Sequence, residues 1–163
     1  MVKVDVSALA IDAATNMPIM LLKEENGDRV LPIWVGFPEA SAIAMAQSYV
    51  RHEIERPMTH DLMKLILDGL GGTLIKIVID ELEGTTYKAK LFLQTGDTDC
   101  YIDARPSDAV ALALRMGAPI FVADAVIEPQ TDNDGSGSLM ENIDELRKRL
   151  REIDPSDFGK FSF

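Results

Sequence analysis

The chain has 163 residues, enough for one domain with a core of its own, and a formal net charge of −11. That charge disfavours a protein that grips a polyphosphate backbone through lysines and arginines alone, so a nucleic-acid ligand would need a local basic pocket or a metal ion. With a single cysteine, Cys100, an intramolecular disulfide and a cysteine-rich zinc site are both excluded.

Residues 2–11, "VKVDVSALAI", alternate as a half-buried strand, and "IMLLK" (19–23) leads into an Asn-Gly turn at 26 and 27. "RVLPIWV" (29–35) returns as a third strand, with Pro32 marking an edge or a bulge. A helix follows from about Pro38 through "EASAIAMAQSYVRHEI", with His52 on its surface. A separate helix, "THDLMKLILDGLGG", starts near Thr59 and is closed by Gly69, Gly71 and Gly72.

The pattern then recurs: "TLIKIVID" (73–80), "YKAKLFLQ" (87–94), a turn at Gly96, "CYID" (100–103) and a helix "SDAVALALRMG" (107–117) ended by Gly117 and Pro119. Aligned without a gap, 25–46 and 94–115 match Gly27 to Gly96, Asp28 to Asp97, Ile33 to Ile102, Glu39 to Asp108, and three alanines to three alanines. This reads as a duplicated supersecondary unit, residues 2–54 and 73–122, within a domain spanning 1–130. The fold class expected is α+β, a mixed or antiparallel sheet packed with helices. Cys100, between Asp99 and Tyr101 on the third strand of the second copy, is expected as a buried thiol.

Beyond it, "TDNDGSGS" (131–138) has the composition of a linker, and Leu139, Ile143, Leu146, Leu150 and Ile153 recur at helical spacing in an amphipathic tail spanning 139–163. No apolar run is long enough to span a bilayer, and the charges alternating through the first residues differ from a signal peptide, so the expected location is the cytoplasm.

Chemistry is expected where a strand turns into a helix, because a helix N-terminus presents free N–H groups and partial positive charge to an anion. The corner "DARPSDA" concentrates Asp103, Arg105, Ser107 and Asp108. Helix capping by Ser107 or Asp108, and pairing of Arg105 with an aspartate, account for part of it. Asp103, at the end of an otherwise apolar strand, needs a partner, a metal or water, and Arg105 is the obvious partner.

In "RPMTHDL" (56–62), Thr59 serves as N-cap and Asp61 favours the first turn, which leaves His60 unexplained by helix initiation. An imidazole there is suited to act as a base or a ligand, although a first-turn histidine also occurs as an ordinary surface residue. Walker, dinucleotide-binding, G-x-S-x-G and H-E-x-x-H motifs are absent.

"LPIWVG" with an acidic residue on the next helix, then "RPMTHDL", then "IDARPSDAVALALRMGAPIFV", in that order and spacing, resemble the bifunctional nuclease family, also described as a domain of unknown function. The resemblance covers about residues 2–128. It implies a duplicated α+β domain, commonly oligomeric, in small soluble bacterial proteins with plant relatives, whose members are credited with cleaving DNA and RNA. Its polar motif positions fall on Glu39, Arg56, Thr59, His60, Asp61, Asp103, Arg105, Ser107 and Asp108.

The function expected on that basis is phosphodiester hydrolysis. His60, Asp61, Asp103, Arg105 and Asp108 form the catalytic set, Arg56, Thr59 and Ser107 bind substrate, and Asp103, Asp108 and Glu39 hold Mg²⁺ or Mn²⁺ if a metal takes part. Two other readings stand beside it: a non-catalytic oligomeric module that binds an anionic ligand or a protein, and motif residues that serve only to pin the fold. Convergence of His60, Asp61, Asp103, Arg105 and Asp108 in a solvent-open pocket favours the site readings, whereas residues each satisfied locally and far apart favour the last.

Overall fold

A computed structural model describes residues 1–47 and 56–127. The expected linker and tail helix, and His52 with the end of its helix, lie outside the described residues.

The first three strands are β1 (Val2–Ile11), β2 (Pro18–Glu24) and β3 (Val30–Trp34), followed by helix α1 (Phe37–Gln47). Short turns join the strands, so each pairs antiparallel with its predecessor. In β1 the alternation read from the sequence is the burial pattern, with Val4 and Val6 buried between Lys3, Asp5 and Ser7. A bulge between Val6 and Ala8 then shifts its register against β2. Helix α2 (Thr59–Gly69) precedes β4 (Gly72–Glu83), β5 (Thr86–Thr95), β6 (Thr98–Ala104) and helix α3 (Pro106–Met116). The turn between β5 and β6 has Gly96 at φ 57°, the positive value that a two-residue hairpin loop needs at its first position.

The strand-strand-strand-helix order therefore occurs twice. Two short elements that the sequence did not announce complete the described chain, β7 (Ile120–Val122) and α4 (Asp124–Ile127). Their role is topological. The seven strands are ordered β3-β2-β1-β7-β4-β5-β6, with β7 antiparallel to β1 and parallel to β4, so three residues join the two meanders into one mixed α+β sheet.

The core is built from both halves: Met20 and Leu22 of β2, Ile77 and Ile79 of β4, Val122 of β7, Ile43 of α1, and Val110 and Leu112 of α3, each at most 1% exposed. Helix α3 is buried from Pro106 through Ala113 except at Asp108, which explains its alanines. A helix covered nearly all round must be apolar nearly all round, and small side chains let α1 approach it closely.

Two expectations about local detail are corrected. Cys100 is exposed, because β6 is an edge strand covered on neither side along most of its length. The caps also move. Pro106 takes the first position of α3 with its fixed φ, so Arg105, not Ser107 or Asp108, is the N-cap, and Met58 rather than Thr59 caps α2. Pro32 does lie in an edge strand, and Gly117 ends α3 in the left-handed region at φ 68°. Among the described residues no helix is long and apolar enough to cross a membrane.

Candidate active site

Each strand-to-helix corner starts from an edge of the sheet, one after β3 and the other after β6. In a flat sheet those edges would stand roughly 29 Å apart at ~4.8 Å per strand. Yet Arg105 Nη2 donates to Glu39 Oε1 at 2.9 Å, across the two corners, so the sheet wraps around α1 and α3 and brings the helix N-termini together.

At the first corner the Glu39 carboxylate folds back over Gly36, into the space a Cβ there would take. At the second, Arg105 Nε donates to Asp108 Oδ2 at 2.7 Å, within the first turn of α3. The other oxygen of Asp108 meets a third element. His60, in the first turn of α2, sets its Nε2 3.2 Å from Asp108 Oδ1, and the residue is only 8% exposed. An imidazole bonded to a carboxylate donates from that nitrogen, which leaves the Nδ1 lone pair as the ring's proton acceptor.

Behind this row stands a residue that sequence reasoning missed. Arg115, in the last turn of α3 with its side chain largely covered, donates from Nε to Asp61 Oδ1 at 2.6 Å and from Nη1 to the carbonyls of Ala42 and Ala111 at 3.0 and 2.9 Å. One guanidinium thus ties α1, α2 and α3 together. Asp61 Oδ2 also accepts the Met58 N–H at 3.1 Å, which closes the start of α2. The available signal was a single cation inside the apolar run "AVALALRM".

The electrostatics follow from these contacts. Burial pushes the Asp61 carboxyl up, but the Arg115 hydrogen bond, the Met58 N–H and the Arg115 charge outweigh it and hold the group below its ordinary value. For Arg105, the hydrogen bond and charge of Asp108, then Glu39, push the guanidinium above its usual value, so it remains a cation. Glu39, Asp61 and Asp108 each occupy the first turn of their helix, where the helix dipole favours a negative charge.

Of the five residues expected to be catalytic, His60, Arg105 and Asp108 meet, with Glu39 beside them, while Asp61 pairs with Arg115 behind the row. Asp103 does not join them. It faces Lys90 across the β5–β6 ladder, exposed, and Arg105 bonds to Asp108 and Glu39 instead of to it. Of the expected substrate contacts, Ser107 is buried in the first turn of α3, while Arg56 and Thr59 are exposed at the approach to α2. Among the described residues no group of three or more His, Cys, Asp or Glu side chains is placed to hold a metal ion. The set Asp103, Asp108 and Glu39 does not fit one as arranged: Asp103 stands apart, and the Arg105 guanidinium lies between the other two.

A curled α+β sheet with a polar cluster where its helix N-termini meet defines the class. The bifunctional nuclease domain model matches residues 20–133, and the chain belongs to that family. It is 38% identical over 164 residues to the uncharacterized protein Rv1829 of Mycobacterium tuberculosis (strain H37Rv), covering 96% of this chain and 97% of that one. It is also 30% identical over 112 residues to bifunctional nuclease 2 of Arabidopsis thaliana and over 114 residues to bifunctional nuclease 2 of rice (Oryza sativa subsp. japonica). Those alignments take in 67% and 68% of this chain but only 33% and 34% of the plant proteins.

Proposed function

We propose that the chain hydrolyses phosphodiester bonds of DNA or RNA at the Glu39–Arg105–Asp108–His60 row. The observation that carries this reading is the His60–Asp108 contact, because it pairs a base with the group that orients it. Asp108 fixes the tautomer, and Nδ1 of His60 takes a proton from the attacking water. The positive charge that develops on the ring is then balanced by the Asp108 carboxylate. Arg105, two-thirds exposed, binds the phosphate: Nε and Nη2 are engaged by Asp108 and Glu39, and Nη1 keeps its donors for a non-bridging oxygen as negative charge grows there. Asp61 and Arg115 act through position, holding the first turn of α2 against α3.

A role for Asp103 away from the row and substrate contacts from Arg56, Thr59 and Ser107 belong to this proposal, as does a homo-oligomeric, cytoplasmic protein; any dependence on Mg²⁺ or Mn²⁺ is read by adding and chelating the ion, since Asp103, Asp108 and Glu39 are not arranged to hold it. The family match and the plant relatives named as bifunctional nucleases support the reaction class. The test compares wild type, His60→Ala, Asp108→Asn and Arg105→Ala, purified identically, on single- and double-stranded DNA and RNA, with chelator and with added Mg²⁺ or Mn²⁺. Loss of a general base lowers the rate about 10²- to 10⁴-fold. A His60→Ala protein as active as wild type removes the mechanism.

A second reading has its own observation: all three carboxylates of the cluster are paired internally, with Arg105 or Arg115. On that reading the row pins the helices and the chain is a binding module. Substitutions at His60 and Asp108 would then change unfolding stability with no hydrolytic activity to lose.

A further inference from the structure

The face of the sheet turned away from the core carries a band of rings and ammonium groups. In β4, β5 and β7 the core residues Ile77, Ile79, Leu91, Leu93, Ile120 and Val122 alternate with side chains that face the other way. On that side Lys3 stands opposite Phe121, Lys76 opposite Phe92, and Phe92 opposite Tyr101. Lys76 Nζ lies 4.9 Å from the Phe92 ring centre and 5.9 Å from that of Phe121, and so joins the two sets. Lys3, Phe121, Lys76, Phe92 and Tyr101 thus cross five neighbouring strands, β1, β7, β4, β5 and β6, over roughly 19 Å.

Tyr101 is 65% exposed although its ring centre is 6.3 Å from that of Phe92, so most of the ring is open to a planar partner. Among the described residues no carboxylate pairs with Lys76, whose ammonium rests on rings, whereas Lys3, Lys88 and Lys90 are each held by an acidic side chain. Asp80 bonds Lys90 and Asp103 faces it across the ladder, so the band offers a phosphate little net charge. That suits one class of ligand on a chain of net charge −11. A duplex keeps its bases stacked inside and is gripped mainly by charge. A single strand also presents base faces, and stacking on aromatic side chains holds it where charge cannot.

We propose that this band is a contact surface for single-stranded nucleic acid, in which a base stacks on Tyr101 and Lys76, held in place by Phe92 and Phe121, takes a phosphate. The choice of ligand rests on the hydrolytic reading of the polar row, while the band itself is made of other residues. Tyr101 and Lys76 are two strand spacings apart, roughly 10 Å. Tyr101 also precedes Arg105 by four residues, roughly 13 Å of extended chain, so a strand stacked there and led over the end of β6 meets the guanidinium that binds the scissile phosphate. The band selects single strands before the chemical step and supplies affinity that an acidic chain does not draw from charge.

The test is fluorescence anisotropy of the full chain with labelled phosphorothioate oligonucleotides, which resist hydrolysis, as single strands and as duplexes of equal length, over a salt series. Wild type is expected to bind the single strand at least about 10-fold more tightly than the duplex, with a log–log salt slope of about −1. Tyr101→Ala is expected to weaken single-strand binding about 5- to 150-fold, and Tyr101→Phe, which keeps the ring, to leave it near wild type. Lys76→Gln is expected to weaken it and to flatten the salt slope. Leu65→Ser, at an exposed apolar position on α2, is expected to change neither. On cleavable single strands Tyr101→Ala should raise KM and spare kcat. No binding to single strands, equal affinity for the duplex, or unchanged affinity in Tyr101→Ala overturns the proposal, whether or not His60→Ala loses hydrolysis. Binding that needs Tyr101 in a chain without hydrolytic activity keeps the contact surface and removes only the reading of the polar row.

Discussion

The most consequential single contact joins Arg115 to Asp61. The Arg115 side chain is only 8% exposed, so removing the Asp61 charge leaves a largely buried cation with just the Ala42 and Ala111 carbonyls as partners. Asp61→Asn is expected to cost about 2–3 kcal/mol, measured by urea unfolding at neutral pH. The same pair gives a pH dependence of definite sign. Asp61 has a folded-state pKa below its unfolded one, so its contribution is fully present above the ordinary carboxylate range and is lost as pH falls through the folded value. Wild-type stability should therefore fall below about pH 4 with a component that Asp61→Asn lacks, and the difference between the two acid titrations isolates it. The sequence marked Asp61 for the helix dipole and for the catalytic set, not for an ion pair with Arg115. Its partner lies 54 residues away, a separation no local pattern reports.

At the scale of elements, the long strands and three main helices were legible because each carries its own period: alternation in β1 and β4, helical spacing and a glycine stop in α2 and α3. Gly117 illustrates a stop signal with a mechanism. At φ 68° it accepts a conformation that costs other residues, and the adjacent Ala118 N–H reaches the Ala113 carbonyl at 3.0 Å. Gly117→Ala should lower stability by about 1 kcal/mol, read as a drop of a few degrees in Tm. Strand β7 was not legible. Three residues, "IFV", are too few to show a period, and they are held by neighbours on both sides rather than by any preference of their own. Cys100 and the helix caps failed for related reasons: an edge strand and a first-turn proline are decided by what lies next to them in space and in the chain.

For the whole molecule, the two meanders share one core. Ile43 of α1 is 0% exposed and belongs to the cluster that also includes residues of β2, β4 and α3. Ile43→Ala is expected to cost about 2–5 kcal/mol by thermal unfolding, and to destabilise both halves in a single transition rather than the first half alone. A split transition would show that β7 does not couple the meanders. The sequence by itself determined the element order, the repeated strand-strand-strand-helix pattern and the polar residues to watch, since these depend on local periodicity and turn chemistry. Which of those residues meet was decided only by the tertiary structure. The wrapping of the sheet brings Glu39 to Arg105 and packing of α2 on α3 brings His60 to Asp108, while Asp103 stays on the exposed edge strand β6, opposite Lys90, because it precedes the turn at Arg105 and Pro106 that carries the chain off the sheet into α3.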